Sequence, residues 1–405
     1  MQPELAVALP AAGSACARAL RARPRLALAV GAVLGLGGVA AIVLSKPGVV
    51  SDSLGVPLSL SAPTRSVLIV AAASLTFVVL LAPRRAERST LLRWGLAGLA
   101  GMCAIAVAPS LDVAVMILLV LIALQAAGQD RRPYSTRVRA PALAVAMLGL
   151  GLVLVRVQGP PTLERLGAVG LVAGLVAAIG AFPFIHEFDP DEGTGTSPIP
   201  WIAFVGPVFG VVLVTRAREL LPTAAGAFGA MLIGLGLLNI VWGCVASWRT
   251  QSGAAAWRYS FMGDWGLVLC GFGLGVADGR ASSMLVLYAV LVGRLPLYLW
   301  SREALRERVE TDRPINLLVA AALAGSAPFA GFAARILLLR GATSLYWPLA
   351  LVLAMSLLLW LPSSLRLGRT LGAPKGRQLV GIVIALAAGA AVGLFPQPLL
   401  TLAGL

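Results

Sequence analysis

The sequence predicts an all-α integral membrane protein of about thirteen transmembrane helices, with its N-terminus inside and its C-terminus outside. Three observations predict it. First, 59% of the 405 residues are hydrophobic and only 12% are charged, against roughly 25% charged in soluble domains, and the mean hydropathy is +0.91. Second, the long apolar runs, such as 166–184 and 284–300, lack the alternation of strands. In hydrocarbon every backbone polar group must be bonded internally, which leaves helices as the spanning unit. Third, with the N-terminus inside, 22 of the 32 lysines and arginines fall in inward-facing loops, the bias expected of cytoplasmic loops.

The spans read, in order, as 26–44, 66–82, 93–108, 111–128, 140–157, 166–184, 199–215, 223–247, 259–277, 281–300, 315–338, 346–363 and 378–395. Residues 1–25, with Arg18, Arg21, Arg23 and Arg25, read as a basic cytoplasmic N-terminus. No small-residue cleavage site is evident before Lys46, so 26–44 reads as a retained first helix. Residues 26–400 form one polytopic domain, because no linker is long enough to separate soluble ones. The longest polar stretch is the acidic turn 186–197, and 301–313 reads as a charged cytoplasmic loop with room for a short helix.

The net charge of +15 would suggest nucleic acid in a soluble protein. Here the arginine-rich loops account for it, and no basic and aromatic residues interleave as a nucleic-acid surface requires. Cys16, Cys103, Cys244 and Cys270 form no CxxC pair and read as small apolar residues. His186, Glu187, Asp189, Asp191 and Glu192 cluster before the seventh span. Without a second His or a Cys they read as a structural turn, not a metal site.

Four segments, in order, resemble the antiporter-like subunits of respiratory complex I and of the multi-subunit sodium/proton antiporters. Ala181-Phe-Pro-Phe-Ile-His-Glu-Phe-Asp-Pro-Asp-Glu, followed by Thr196-Ser-Pro-Ile-Pro, is similar to the family's PFHxWxPDA and TPV pattern. With one inserted residue, His186, Phe188, Pro190, Asp191 and Pro198 fall on it. Trp257-Arg-Tyr-Ser-Phe-Met-Gly-Asp-Trp-Gly resembles KRLLAYSSxxHxG, matching at Tyr259, Ser260 and Gly266. Leu291-Val-Gly-Arg-Leu-Pro-Leu-Tyr-Leu is similar to HalFKallFL, and Gly325-Ser-Ala-Pro-Phe-Ala-Gly-Phe-Ala-Ala-Arg to GxPPlaGFxgK. The resemblance covers roughly 105–400. It implies fourteen helices in the parent pattern, of which this chain has lost the first. It also implies two inverted five-helix repeats with broken helices, here about 105–247 and about 257–395. The breaks would fall at 198–207 and 325–331. The same Gly and Pro residues also suit ordinary helix ends and packing.

The resemblance implies a glutamate–lysine pair in the first half, linking His or Lys residues, and a charged residue in the second broken helix. This sequence departs from that set. The family's ionisable positions correspond to Leu119, Ala178, Val208 and Ala254, none of which can relay a proton. The second half keeps Asp264, Arg294 and Arg335. A charge at the bilayer centre costs at least about 2.5–3.5 kcal/mol, so such residues are rarely accidental. Two readings are open: the three form a buried polar axis, or both arginines snorkel to the interfaces while Asp264 caps a helix. Arginine holds its proton too firmly to be a relay group.

The expected function is that of an antiporter-like membrane subunit in a complex I-related, hydrogenase-like or cation-antiporter assembly, contributing to proton or cation translocation coupled to electron transfer through a degenerate ion path. Its expected place is the inner membrane of a bacterium. No iron–sulfur, dinucleotide or haem motif is present, so no cofactor is expected in this chain and partner subunits would handle the electrons. The alternative is a stand-alone carrier or a lipid-linked-sugar membrane enzyme. Such an enzyme needs an acidic catalytic pair in a sizeable extramembrane loop, and no loop here provides the room.

Overall fold

A computed structural model describes residues 3–51, 55, 57–82, 85–127, 134–157, 160–186, 199–307 and 309–405. Helix begins at Pro3. The helices are α1 (Pro3–Ala19), α2 (Pro24–Leu44), α3 (Ala62–Leu81), α4 (Arg85–Val107), α5 (Leu111–Ala127), α6 (Tyr134–Arg156), α7 (Pro161–Ile179), α8 (Trp201–Leu220) and α9 (Ala225–Arg249). Then follow α10 (Gly253–Leu274), α11 (Ala277–Ala289), a π-helical turn at Val290–Arg294, α12 (Leu295–Glu307), α13 (Pro314–Leu323) and α14 (Ala330–Leu345). The chain closes with α15 (Trp347–Leu358), α16 (Trp360–Arg369), α17 (Arg377–Leu394) and α18 (Gln397–Leu402). A small hairpin, β1 (Gly48–Ser51) against β2 (Pro57–Leu60), joins α2 to α3.

Among the described residues, ten helices are long and apolar enough to cross a membrane, and two shorter apolar ones, Leu111–Ala123 and Pro314–Leu323, accompany them. This is a multi-pass membrane protein. Large apolar side chains such as Val33 (69%), Val153 (60%) and Met355 (61%) stand exposed on the outside, where hydrocarbon rather than water is the solvent.

One expectation needs correction and two gain detail. Within residues 1–25, Pro3–Ala19 is a helix packed on α2 and α4. Ser14 Oγ donates to the Arg93 carbonyl at 3.0 Å. Gly13 lies close enough that an added β-carbon would be 3.2 Å from Leu34 Cβ. The four arginines sit in the last turn of α1, the connecting turn and the first turn of α2, and their charge masked an apolar, small-residue helix before them. The correction concerns 198–207: from Trp201 onward α8 runs continuously through Pro207. Finally, α12 carries helix to Glu307, the short helix for which the 301–313 stretch had room.

The breaks that do occur share one local pattern. Gly180-Ala-Phe-Pro-Phe ends α7 and Gly325-Ser-Ala-Pro-Phe follows α13. Gly180 (φ 82°) and Gly325 (φ 66°) are both left-handed, and Pro183 and Pro328 each follow a cis bond. Each glycine stands three residues before its proline, and the interval from 180 to 325 equals that from 183 to 328. A positive φ at the end of a helix is where glycine is favoured, since a β-carbon would clash there. At α7 the cap closes with Gly180 and Ala181 both donating to the Val176 carbonyl at 3.1 Å.

Helices α9 and α10 pack along their length. A β-carbon added at Gly236 would lie 2.7 Å from the Gly266 carbonyl; at Gly243, 2.6 Å from the Gly263 amide; at Gly229, 2.7 Å from the Gly273 carbonyl. Facing glycines let two backbones meet directly, the usual device for helix association in lipid. This seam fixes the depth and rotation of α10, the helix that carries Asp264.

Candidate functional site

The π turn sets up the site. Pro296 has no amide hydrogen, and its ring would crowd the carbonyl four residues back in a regular helix. The chain answers with a wider turn in which the Leu295 amide donates to Val290, the local device termed a π-bulge. The Leu291 carbonyl receives the Ser74 hydroxyl of α3 at 2.5 Å. Arg294 is the last residue of that turn and is 6% exposed.

Its guanidinium divides three ways. Nε lies 2.5 Å from Asp264 Oδ2. One terminal nitrogen donates to Ser260 Oγ at 2.5 Å and the other to the Leu323 carbonyl at 2.9 Å. Ser260 and Asp264 are four residues apart on α10 and so share a face. Leu323 is the last residue of α13, so the arginine also answers carbonyl groups that the helix end leaves open. Asp264 is 6% exposed. Its contact with Arg294 is close in distance but not aligned as a hydrogen bond, and Oδ2 makes none.

Arg335, half-buried on α14, donates to the Ala324 carbonyl and lies over the Trp360 ring with its central carbon 4.9 Å from the centroid. Its side chain passes across Gly325, where a β-carbon would come within 2.7 Å of Cζ. Asp264, Arg294 and Arg335 all border one cavity of about 60 Å³ beside the α13–α14 break. The structure therefore gathers the three charges at one place, with Arg294 and Asp264 buried inside the protein. At roughly 10–15 Å³ for one water, the cavity has room for a few solvent molecules.

The first break is built differently. His186 Nε2–H donates to the Ala177 carbonyl at 2.8 Å, and Trp201 Nε1 donates to Ala178 at 2.8 Å. Asn239 of α9, fully buried, accepts from the Phe182 amide at 2.9 Å and returns Nδ2–H to the Phe182 carbonyl at 3.2 Å. These bonds tie the exposed backbone of the break to fixed partners. Ala178 and Val208 are buried among apolar groups, while Leu119 is 41% exposed on the outside of α5. The interval that relates the two breaks carries Asp264 back to Leu119 and Arg294 back to Gly149, so the polar centre has no counterpart there. Asp191, Glu187, Asp189 and Glu192 lie outside the described residues.

Sequence reasoning missed Ser74 and Asn239. Each is a single neutral polar residue in an apolar run, and the signal would have been its position opposite a proline-disturbed backbone.

No protein-family profile matches the chain. Among curated proteins, the NADH-quinone oxidoreductase subunit N of Rhizorhabdus wittichii is 30% identical over 215 residues, covering 48% of this chain and 44% of that one. The match thus spans less than half the length of this relative. A chain of respiratory complex I from Thermus thermophilus, solved with bound NADH, superposes with a TM-score of 0.75 at 19% identity, covering 99% of this chain and 98% of that one. A chain of the Mrp complex from Dietzia sp. superposes with a TM-score of 0.78 at 18% identity, covering 99% of this chain and 51% of that one. The chain shares a partial sequence match with that subunit N and has the fold of these complex I and Mrp chains.

Proposed function

We propose that this chain is an antiporter-like membrane subunit of a quinone oxidoreductase, hydrogenase-like or cation-antiporter assembly in a bacterial inner membrane. It contributes to the coupled movement of protons or cations without a complete ion path of its own. The observation that carries this reading is the asymmetry between the two breaks. The second holds an Asp264–Arg294 pair and Arg335 on a cavity; the first is closed by neutral hydrogen bonds and apolar side chains. A proton path needs titratable groups or water in continuous sequence, and arginine does not release its proton. The first repeat, about 105–247, then serves as packing, and the second, about 257–395, holds a hydrated polar centre. Arg-rich turns such as 20–25 face the cytoplasm on this reading.

The test is reconstitution of the assembly in proteoliposomes with wild type, Arg294→Ala and Asp264→Asn. If the ion yield per turnover holds while assembly or stability suffers, the degenerate reading stands. An intact assembly with a lowered yield shows a working path and overturns it. Isolation in gentle detergent as a functional, partnerless carrier would overturn the subunit reading itself.

A further inference from the structure

We propose that the cavity between α10, the π turn and the α13–α14 break binds a small monovalent inorganic anion of the chloride class. Two guanidiniums and one carboxylate border it: Arg294, Arg335 and Asp264. Neither arginine gives up its proton under physiological conditions, so the fixed side chains leave positive charge in a region where unmatched charge is expensive. The negative end of α13 does not offset this, because its Leu323 and Ala324 carbonyls are already engaged by the guanidiniums themselves.

Polar atoms are left unmet on the cavity: Asp264 Oδ2 faces Arg294 Nε without an aligned hydrogen bond. Arg335 Nε is buried without a protein partner. The 16-residue α14 begins on the cavity wall at Ala330 and Gly331, and its N-cap residue, Phe329, offers no side-chain acceptor to the first amides. A helix N-terminus favours an anion, and here it converges with an unpartnered guanidinium nitrogen. The size and charge select the ligand. About 60 Å³ takes one small ion with ordered water on the roughly 10–15 Å³ scale of a single water. The site supplies one surplus positive charge, which matches a halide and not a multiply charged oxyanion. The same field repels cations. The inference needs no particular assembly around the chain and so goes beyond the reading above.

The test is thermal unfolding of the full chain in detergent, followed through the thiols of the buried Cys103, Cys244 and Cys270, as chloride replaces gluconate at constant ionic strength. A saturable rise in melting temperature is expected. Arg335→Gln should raise the half-saturating chloride about tenfold or more. Asp264→Asn removes the opposing charge and should lower it about tenfold or more. A folding defect cannot produce that tightening. In bromide-soaked crystals the anomalous peak should lie in the cavity, within hydrogen-bonding reach of Arg335 Nε. A wild-type response matched by gluconate, an unchanged or weakened response in Asp264→Asn, or no bromide in the cavity would each overturn the proposal.

Discussion

Arg294 holds together three elements that have no other polar link at this point: α10 through Asp264 and Ser260, the π turn by its own backbone, and the end of α13 through Leu323. A lysine at 294 is a single point charge without the planar fork. Arg294→Lys is therefore expected to lose about 1–3 kcal/mol, the cost of leaving buried partners unmet. Arg294→Ala strands the Asp264 carboxylate and should cost about 3–5 kcal/mol, whereas Asp264→Leu combined with Arg294→Leu should recover most of that loss. Unfolding in detergent, analysed as a double-mutant cycle, checks this; a cycle with no coupling would mean that the pair is not made. Asn239 offers a neutral counterpart. Asn239→Leu keeps the branching at Cγ but leaves the Phe182 amide and carbonyl without partners, and should cost about 1–3 kcal/mol by the same measurement. The charges of the site were legible in the sequence, because Asp, Arg and Lys stand out in an apolar run. Asn239 and Ser74 were not. A neutral polar residue in such a run suits helix packing equally well, and only the fold reveals which carbonyl it faces.

The elements show where proline and glycine mislead. The stretches 198–207 and 325–331 look alike as clusters of helix breakers, yet Pro207 sits inside α8 while Gly325 ends one helix and Pro328 precedes the next. The difference is the left-handed glycine, which reverses the chain where a proline alone need only bend it. The same pattern at Gly180 marks the first break, one element earlier than the sequence suggested. The prediction at this scale concerns Gly325. Gly325→Ala meets both a positive φ and the Arg335 guanidinium at 2.7 Å. It should cost about 1–3 kcal/mol and move Arg335 off Ala324 and Trp360. Gly389→Ala is the control on the same cavity: its β-carbon would find Phe329 Cδ1 at an ordinary 3.7 Å, so a change within roughly 0.5 kcal/mol is expected. Trp360 fluorescence, read against a Trp360→Phe background, follows the arginine; equal behaviour of the two variants would refute the argument.

Across the whole molecule the glycine seam of α9 and α10 joins a half with no buried charge pair among its described residues to a half organised around one. The spans were legible because apolar length and the arginine bias survive any divergence of detail. α1 was not, since at 17 residues with a proline inside it falls short of the usual spanning signature. The asymmetry of the halves leads to the last prediction. Ala178 is 1% exposed, its carbonyl already holds Trp201, and the position that would supply an acid partner, Leu119, turns 41% outward on α5. Ala178→Lys therefore places a long cationic chain in a space filled by a methyl group, with no carboxylate in reach among the described residues. Overpacking alone costs about 1–3 kcal/mol, and an unpaired charge at membrane depth adds at least about 2.5–3.5 kcal/mol. The expected outcome is a lower yield of folded protein and no gain in ions moved per turnover, even when Leu119→Glu is added. Proteoliposome flux measured per assembled complex separates the two effects. A rise in flux with either variant would mean that water already threads the first half, and that the path lacks only its titratable groups.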